Sequence, residues 1–332
     1  MAVSRCEEQG GGDALGGGAG YGPPVLTAND VGGLAEFSAD GIQFGFSVFE
    51  GMRAFVAAPE FLVFRSRDHH ERLRASCAAL ALPCPSYEVF IAAVERAVRA
   101  NWDGGEPRLY LRPVVFAAGG DLMPLRSRTS VFAVLVKRFD PAAEGLAVLV
   151  EGGAPRTLPA FASVKTAGNY TSSALAMRRA VAAGCDTVLW LDGDGHLQEC
   201  TTTNVFLQLN GRLVTPPLGS ILPGVTRRTV LDLLAGMGEQ VVERHVHVSE
   251  LSAALARGEQ LHVFTTSTAL GLRPVTRLRL DSTDHRLDGP APEAWRRVAE
   301  QYSLVTAGFT AAAGPHAPIL ARSHRADLRG PA

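Results

Sequence analysis

The sequence predicts a mixed α/β (α+β) protein of two domains, and three observations predict it. The chain has 332 residues, which at the usual domain size is about two domains. Strand-like and helix-like apolar patterns alternate along its length. Between two strand-like runs, residues 138–145 carry Asp140, Pro141 and Glu144, the composition of an interdomain linker. The expected division is a small N-terminal domain over 25–137, the linker, and a larger C-terminal domain over 146–310. A flexible Gly-rich arm (1–24) and a disordered tail (311–332), too poor in apolar periodicity to offset the entropy of ordering, flank them.

The elements follow in order. Runs at 41–55 and 61–64 read as extended, and 68–81 reads as a helix with Leu73, Cys77 and Leu80 on one side. Pro85 and Ser86 introduce a second helix over 87–102, with Phe90, Val94, Ala97 and Val98 at helical spacing. Strands are expected at 108–116, 130–137, 146–151, 186–192, 204–209, 212–215 and 262–266. Helices are expected over 170–183, stopped by Gly184, and over 225–235, opened by a Pro-Gly turn.

Composition narrows the function. A net charge of −1 without a basic run argues against a nucleic-acid partner. No apolar run reaches signal-peptide or membrane-span length, so a cytoplasmic protein without a membrane partner is expected. The five cysteines are scattered, with no Cys/His ligand spacing, so neither a disulfide framework nor a metal is expected. The adjacent His69 and His70 point apart on a helix and read as capping or solvent-exposed residues.

Of the 32 basic residues only Lys137 and Lys165 are lysine. Under such a preference for arginine, a remaining lysine marks a position where a guanidinium fails, such as a Schiff base, or a chance survivor. Lys165 lies in Ser163-Val-Lys-Thr-Ala-Gly-Asn-Tyr170, just ahead of a helix, with Tyr170 near enough to bond a cofactor. Glu199, in the segment leading to Asn204 between two strand-like runs, offers a carboxylate to a pyridine nitrogen. Leu222-Pro-Gly-Val-Thr-Arg-Arg228 turns into a helix and aims the amides of Val225 and Thr226 at an anion. Thr265 to Ala269 adds hydroxyls at a strand end. In the first domain, Arg65 could hold phosphate and Arg112, in Tyr110-Leu-Arg-Pro113, a carboxylate. Taken alone, each segment also fits a plain loop, a hairpin turn or an ion-paired arginine.

Together the segments resemble the fold-type IV, or class IV, pyridoxal phosphate aminotransferases, and most closely the branched-chain amino acid aminotransferases. The carriers are Phe44-Gly-Phe-Ser-Val-Phe-Glu-Gly51, Phe64-Arg65, Glu71-Arg-Leu73, Tyr110 to Pro113, Lys165 to Tyr170, Glu199 with Asn204, Leu222 to Arg227, and Thr268-Ala269, all in the family's order. The resemblance implies a small N-terminal α/β domain, a larger C-terminal pseudo-barrel domain, pyridoxal 5'-phosphate as cofactor and a homodimer. It implies that Lys165 is the catalytic Schiff-base lysine, with Arg65, Tyr170, Glu199, Val225, Thr226 and Thr268 on the cofactor. Phe44, Phe49, Tyr110, Arg112, Thr268 and Ala269 would shape the substrate pocket. The implied reaction exchanges an amino group between an L-branched-chain or similar apolar amino acid and 2-oxoglutarate, through aldimine and ketimine half-reactions.

This sequence departs from the family pattern at three places. Cys200 to Thr203 replace the glycines usual between the Glu and the Asn, a loop similar to that of aminodeoxychorismate lyases and D-amino acid transaminases. Phe44 stands where a hydroxylated aromatic is common, and Ser267 where Gly usually precedes the Thr-Ala pair. Those two activities and a specialised biosynthetic transaminase are the alternatives.

Overall fold

The computed structural model describes residues 2–7, 41, 44–105, 108–118, 129–138, 145–152, 159–287, 289–306 and 317–329. It divides into two compact units, the first made of Met1–Phe139, Val164–Gly168 and Arg322–Ala332, the second of Asp140–Ser163 and Asn169–Ala321. Most of the expected linker (139–144) and of the arm (8–24), and parts of the tail (311–316 and 330–332), lie outside the described residues. The Lys165 segment, expected in the C-terminal domain, belongs to the first unit.

The first unit is a seven-stranded sheet in the order β1 (Ala2–Glu7), β6 (Thr129–Arg138), β5 (Arg108–Ala117), β3 (Met52–Ala57), β4 (Glu60–Val63), β16 (His324–Asp327), with β2 (Ser47–Phe49) also paired to β5. The extended run expected over 41–55 is thus broken at Glu50 and Gly51. Pro113 lies opposite this break, where its carbonyl accepts from Glu50 N at 2.8 Å and its missing N–H costs no ladder bond. Along β5 burial alternates: Leu109, Leu111 and Val115 enter the core, while Tyr110 and Arg112 emerge together on the other face. Helices α1 (Ser66–Ala79) and α2 (Tyr87–Asn101) bury Leu73, Cys77, Phe90, Val94 and Val98, and Phe90 stacks on Phe132 of β6. Ser86 caps α2, its hydroxyl accepting from Val89 N at 3.3 Å.

Three expectations fail, wholly or in part, in this unit. The tail is ordered over 317–329: a short helix, Ala317–Leu320, buries Ile319, and β16 pairs antiparallel with β4. Its contacts are distant in sequence, with Arg322 donating to Asp68 at 2.6 Å and Ser323 Oγ accepting from Arg65 N at 2.9 Å, so local periodicity carried no trace of them. The arm also contributes β1, paired to β6. His69 and His70 are not exposed caps. Both are buried in α1, and His70 Nε2 meets the Pro85 carbonyl at 2.8 Å.

The second unit is a nine-stranded sheet in the order β12 (Val241–Glu243), β11 (Arg212–Thr215), β10 (Asn204–Leu209), β13 (His262–Ser267), β14 (Gly271–Leu280), β7 (Leu146–Glu151), β8 (Thr187–Leu191), β9 (Leu197–Cys200), with β15 (Thr283–Arg286) on β14. The parallel β7 and β8 need a crossover, which α3 (Asn169–Ala182) supplies. Gly184, at φ 68°, ends that connection. Helices α4 (Val225–Gly236), α5 (Val248–Ala256) and α6 (Glu293–Thr306) follow. Trp295 of α6 meets Phe264 edge-on at 4.3 Å, and Phe264 stacks on Phe206. Glu199, expected between two strands, lies within β9.

Candidate active site

In the first unit the chain around Lys165 adds to β2 like a further strand. Thr166 bridges Val48, Phe49 N donates to Lys165 O at 3.1 Å, Ala167 N and Thr166 Oγ1 both donate to Ser47 O, and Lys165 N donates to Ser76 Oγ at 3.0 Å. With its backbone fixed, Lys165 carries Nζ 4.7 Å from the centre of the Phe49 ring. The Arg112 guanidinium lies 4.7 Å from the same ring and donates to Tyr110 Oη at 3.3 Å. The Phe49 ring is therefore approached by an amine and by a guanidinium that is itself bonded to a phenol. Gly51 permits this approach, since a Cβ there would meet Tyr110 Oη at 2.5 Å.

Behind Phe49 lies a buried ionic cluster. Glu50 accepts from His69 Nδ1 at 2.7 Å and from Arg72 Nε and a terminal nitrogen at 2.8 and 2.7 Å. Burial opposes the Glu50 charge, but Arg72 and His69 outweigh it and hold the carboxyl at about 2. Sequence reasoning read His69 as a cap or an exposed residue and gave Glu50 and Arg72 no part in the site beyond their place in the motifs. The signal was available, because His69 and Arg72 stand three apart on one helix face. Arg65 is fully buried with a left-handed backbone, φ 47°, and its Nε donates to Asp68 at 2.5 Å. Phe44, expected in the pocket, is 48% exposed, in a bend ahead of β2.

In the second unit the buried Glu199 accepts from Leu222 N at 3.1 Å through Oε1 and from Asn204 Nδ2 at 2.6 Å through Oε2, while the same amide donates to Leu222 O at 3.0 Å. Asn204 abuts Gly224 so closely that a Cβ on that glycine would lie 2.0 Å from Asn204 Oδ1. Gly224 is the N-cap of α4 and offers no side-chain cap, so the first-turn amides of Val225 and Thr226 point out of the helix at its positive end. Thr226 Oγ1 and Thr268 Oγ1 are 3.4 Å apart. Ala269 follows in the turn after β13, and Tyr170 lies half-buried in the first turn of α3. Burial pushes the Cys200 thiol up to about 12, which makes it packing rather than a nucleophile.

The fold thus brings Phe49, Tyr110, Arg112 and Lys165 together in one unit, and Glu199, Val225, Thr226 and Thr268 together in the other. Oppositely directed polar ends, a buried carboxylate and an uncapped helix start, meet across Asn204 and Gly224. Thr266 faces Asn204 across the β10–β13 ladder, and its buried hydroxyl has no hydrogen-bond partner among the described residues.

Comparison with known proteins agrees with this architecture. Residues 47–278 match the amino-transferase class IV family. A probable branched-chain-amino-acid aminotransferase of Staphylococcus epidermidis is 32% identical over 286 residues, 82% of this chain and 80% of the relative. A branched-chain-amino-acid aminotransferase of Mycobacterium tuberculosis is 35% identical over 291 residues, 82% of this chain and 79% of the relative. Among solved structures, the branched-chain aminotransferase of Thermoproteus uzoniensis with norvaline superposes at a TM-score of 0.75 with 27% identity, covering 92% of this chain and 97% of that one. With the family matched over residues 47–278 and relatives 32% and 35% identical over 82% of this chain, the chain belongs to the class IV aminotransferases.

Proposed function

We propose that this chain is a pyridoxal 5'-phosphate-dependent transaminase exchanging an amino group between an L-branched-chain or similar apolar amino acid and 2-oxoglutarate, as a cytoplasmic homodimer. The observation that carries the reading is the Phe49 ring with Lys165 Nζ and the Arg112 guanidinium each 4.7 Å from its centre. Such a surface accepts an apolar side chain in one half-reaction and a distal carboxylate, held by Arg112 and Tyr110, in the other.

The second unit's donor set fits the cofactor: a buried carboxylate for a protonated ring nitrogen, the orphaned Thr266 hydroxyl, and an uncapped helix start for a phosphate. When bound, the cofactor supplies an electron sink for the carbanion at the substrate Cα. Glu199 keeps the proton on the ring nitrogen, its own orientation set by Leu222 N and Asn204. Val225 and Thr226 amides, with the Thr226 and Thr268 hydroxyls, take the phosphate, and Arg65 adds a positive charge. Tyr170 donates to the ring oxygen. Lys165 Nζ accepts the proton leaving the substrate Cα, the work a guanidinium cannot do. Ala269 and Phe44 border the substrate.

The test is the absorbance of purified protein with pyridoxal phosphate on adding single amino acids. The expected result is a visible cofactor band that L-leucine bleaches and 2-oxoglutarate restores, absent in Lys165→Ala. A band indifferent to L-leucine, L-isoleucine and L-valine would sink the substrate assignment. The glycine-free turn from Cys200 to Thr203 favours a second reading, a D-amino acid transaminase, which a chiral assay of the product separates. Light scattering reports whether the mass is twice that of the 35.1 kDa chain.

A further inference from the structure

The turn between β8 and β9 and the segment leading into α5 bring together Asp192, His196 and His245, whose potential ligand atoms all lie within 4.8 Å of one another. We propose that these three side chains form a binding site for a divalent transition-metal ion, Zn²⁺ by preference, which clamps the β8–β9 hairpin to the start of α5. This role lies outside the transamination site.

The frame is built before any ion arrives. Leu197 N donates to Val246 O at 2.8 Å, Val248 N donates to Gly195 O at 2.9 Å, and His196 bridges His247. The Asp192 carboxylate is oriented in the way a metal-ligating carboxylate needs. Its Oδ1 accepts from the amides of Asp194 and His196 at 3.0 and 2.8 Å, which leaves Oδ2 turned toward the imidazole, 3.4 Å from His196 Nδ1. The rings of His196 and His245 are 5.2 Å apart, centre to centre. Ligand atoms around zinc sit about 3.3 Å from one another, given bonds of about 2.0–2.1 Å. The His245 ring is exposed and so free to turn about its side-chain bonds toward the ion, while its backbone carbonyl is held by Arg244 at 2.8 Å.

The donor chemistry selects the class of ion. Two imidazoles and one carboxylate suit a borderline metal and leave a position for water, whereas calcium and magnesium require oxygen ligands. Neighbouring charges do not oppose a cation, because Arg244 is paired with Glu250 at 2.8 Å and the exposed Asp194 lies in the same turn. His247 lies outside this group of three. Its Nδ1 is committed to the α5 cap, 2.7 Å from Ser249 Oγ and 3.2 Å from Ser249 N. Sequence reading expected no metal, on the scattered cysteines without ligand spacing; Asp192, His196 and His245 come from separate segments and form no spaced motif.

The experiment titrates the tag-free, chelator-treated full chain with ZnCl₂ by calorimetry, with CoCl₂ as an optical probe and MgCl₂ and CaCl₂ as controls. The expected result is one zinc per chain and a cobalt d–d band, with affinity falling about tenfold or more in Asp192→Asn, His196→Ala and His245→Ala. Zinc should also raise the melting temperature of the wild type and not of the His196→Ala/His245→Ala pair. No binding at about 100 μM zinc, binding unchanged in the paired variant, or a preference for calcium or magnesium would overturn the proposal. If His196→Ala fails to fold by circular dichroism, the exposed His245→Ala and the near-isosteric Asp192→Asn carry the same decision. Transamination is expected to be unchanged in all three.

Discussion

Cys84 shows how far a single side chain can be moved by its neighbours. A hydrogen bond from Cys77 leads, burial opposes it, and His70 assists, so that the thiol is held at about 6. Thiolate fraction governs alkylation. Among Cys77, Cys84, Cys185 and Cys200, iodoacetamide at pH 7 should therefore label Cys84 first and leave Cys200 untouched in the folded protein. Peptide mapping of a time course checks this, and first labelling at any other of the four would refute it. At this scale the sequence was legible where chemistry alone discriminates, as at Lys165, where an amine survives among thirty arginines. It was illegible at Cys84 and His70, whose environment comes from the return of the chain after α1, and at His69, whose partner Glu50 precedes it by a strand pair.

Elements act on the site through their junctions. Gly224 joins the Leu222 turn to α4, and with φ −66° any residue could adopt its backbone; what excludes a side chain is Asn204. Gly224→Ala should push the Asn204 amide off Glu199, weakening pyridoxal phosphate binding about tenfold and costing about 1–3 kcal/mol of stability. A cofactor titration and a urea melt check the two effects, and unchanged affinity would show that Asn204 does not set Glu199. The junction of β2 and β3 is tied to α1 by Glu50. Its carboxyl is held at about 2 against an ordinary 4.5, and burial brings His69 below its ordinary 6.5 despite the Glu50 bond. Both groups bind protons more weakly folded than unfolded, so acid favours unfolding. The His69 contribution is complete above pH 6.5 and declines below it, while that of Glu50, about 3 kcal/mol, is complete above 4.5 and lost as pH falls toward 2. Melting temperature should fall in two stages on acidification, and Glu50→Gln, less stable at neutral pH, should lose the lower stage. A variant with the wild-type slope below pH 4.5 would contradict this.

Across the whole molecule, the strands and helices with strong local periodicity were legible, β5, β6, β7, β10, α2 and α4 within a residue or two. What escaped was whatever depends on pairing over long separations. Thr166 joins β2 in the first unit although its flanks belong to the second, and β16 pairs with β4 from the far end of the described chain. A chain ending at residue 310 removes β16 and opens the N–H and C=O row of β4 to other molecules. That truncation should be less soluble than the full chain and should associate at micromolar concentration, measured by light scattering; a monodisperse product with the full chain's oligomeric state would argue that β16 is dispensable.

The pairing of β16 with β4 also bears on the order in which the protein can be made. Domains commonly fold one after another as they leave the ribosome. Here the first unit cannot be finished in that way, since it waits for Val164–Gly168 and then for residues that follow the whole second unit. Its Lys165 segment and its edge strand arrive late. During synthesis the N-terminal sheet stands with an open margin, so a translational pause within the second unit would be the moment when a chaperone is most needed.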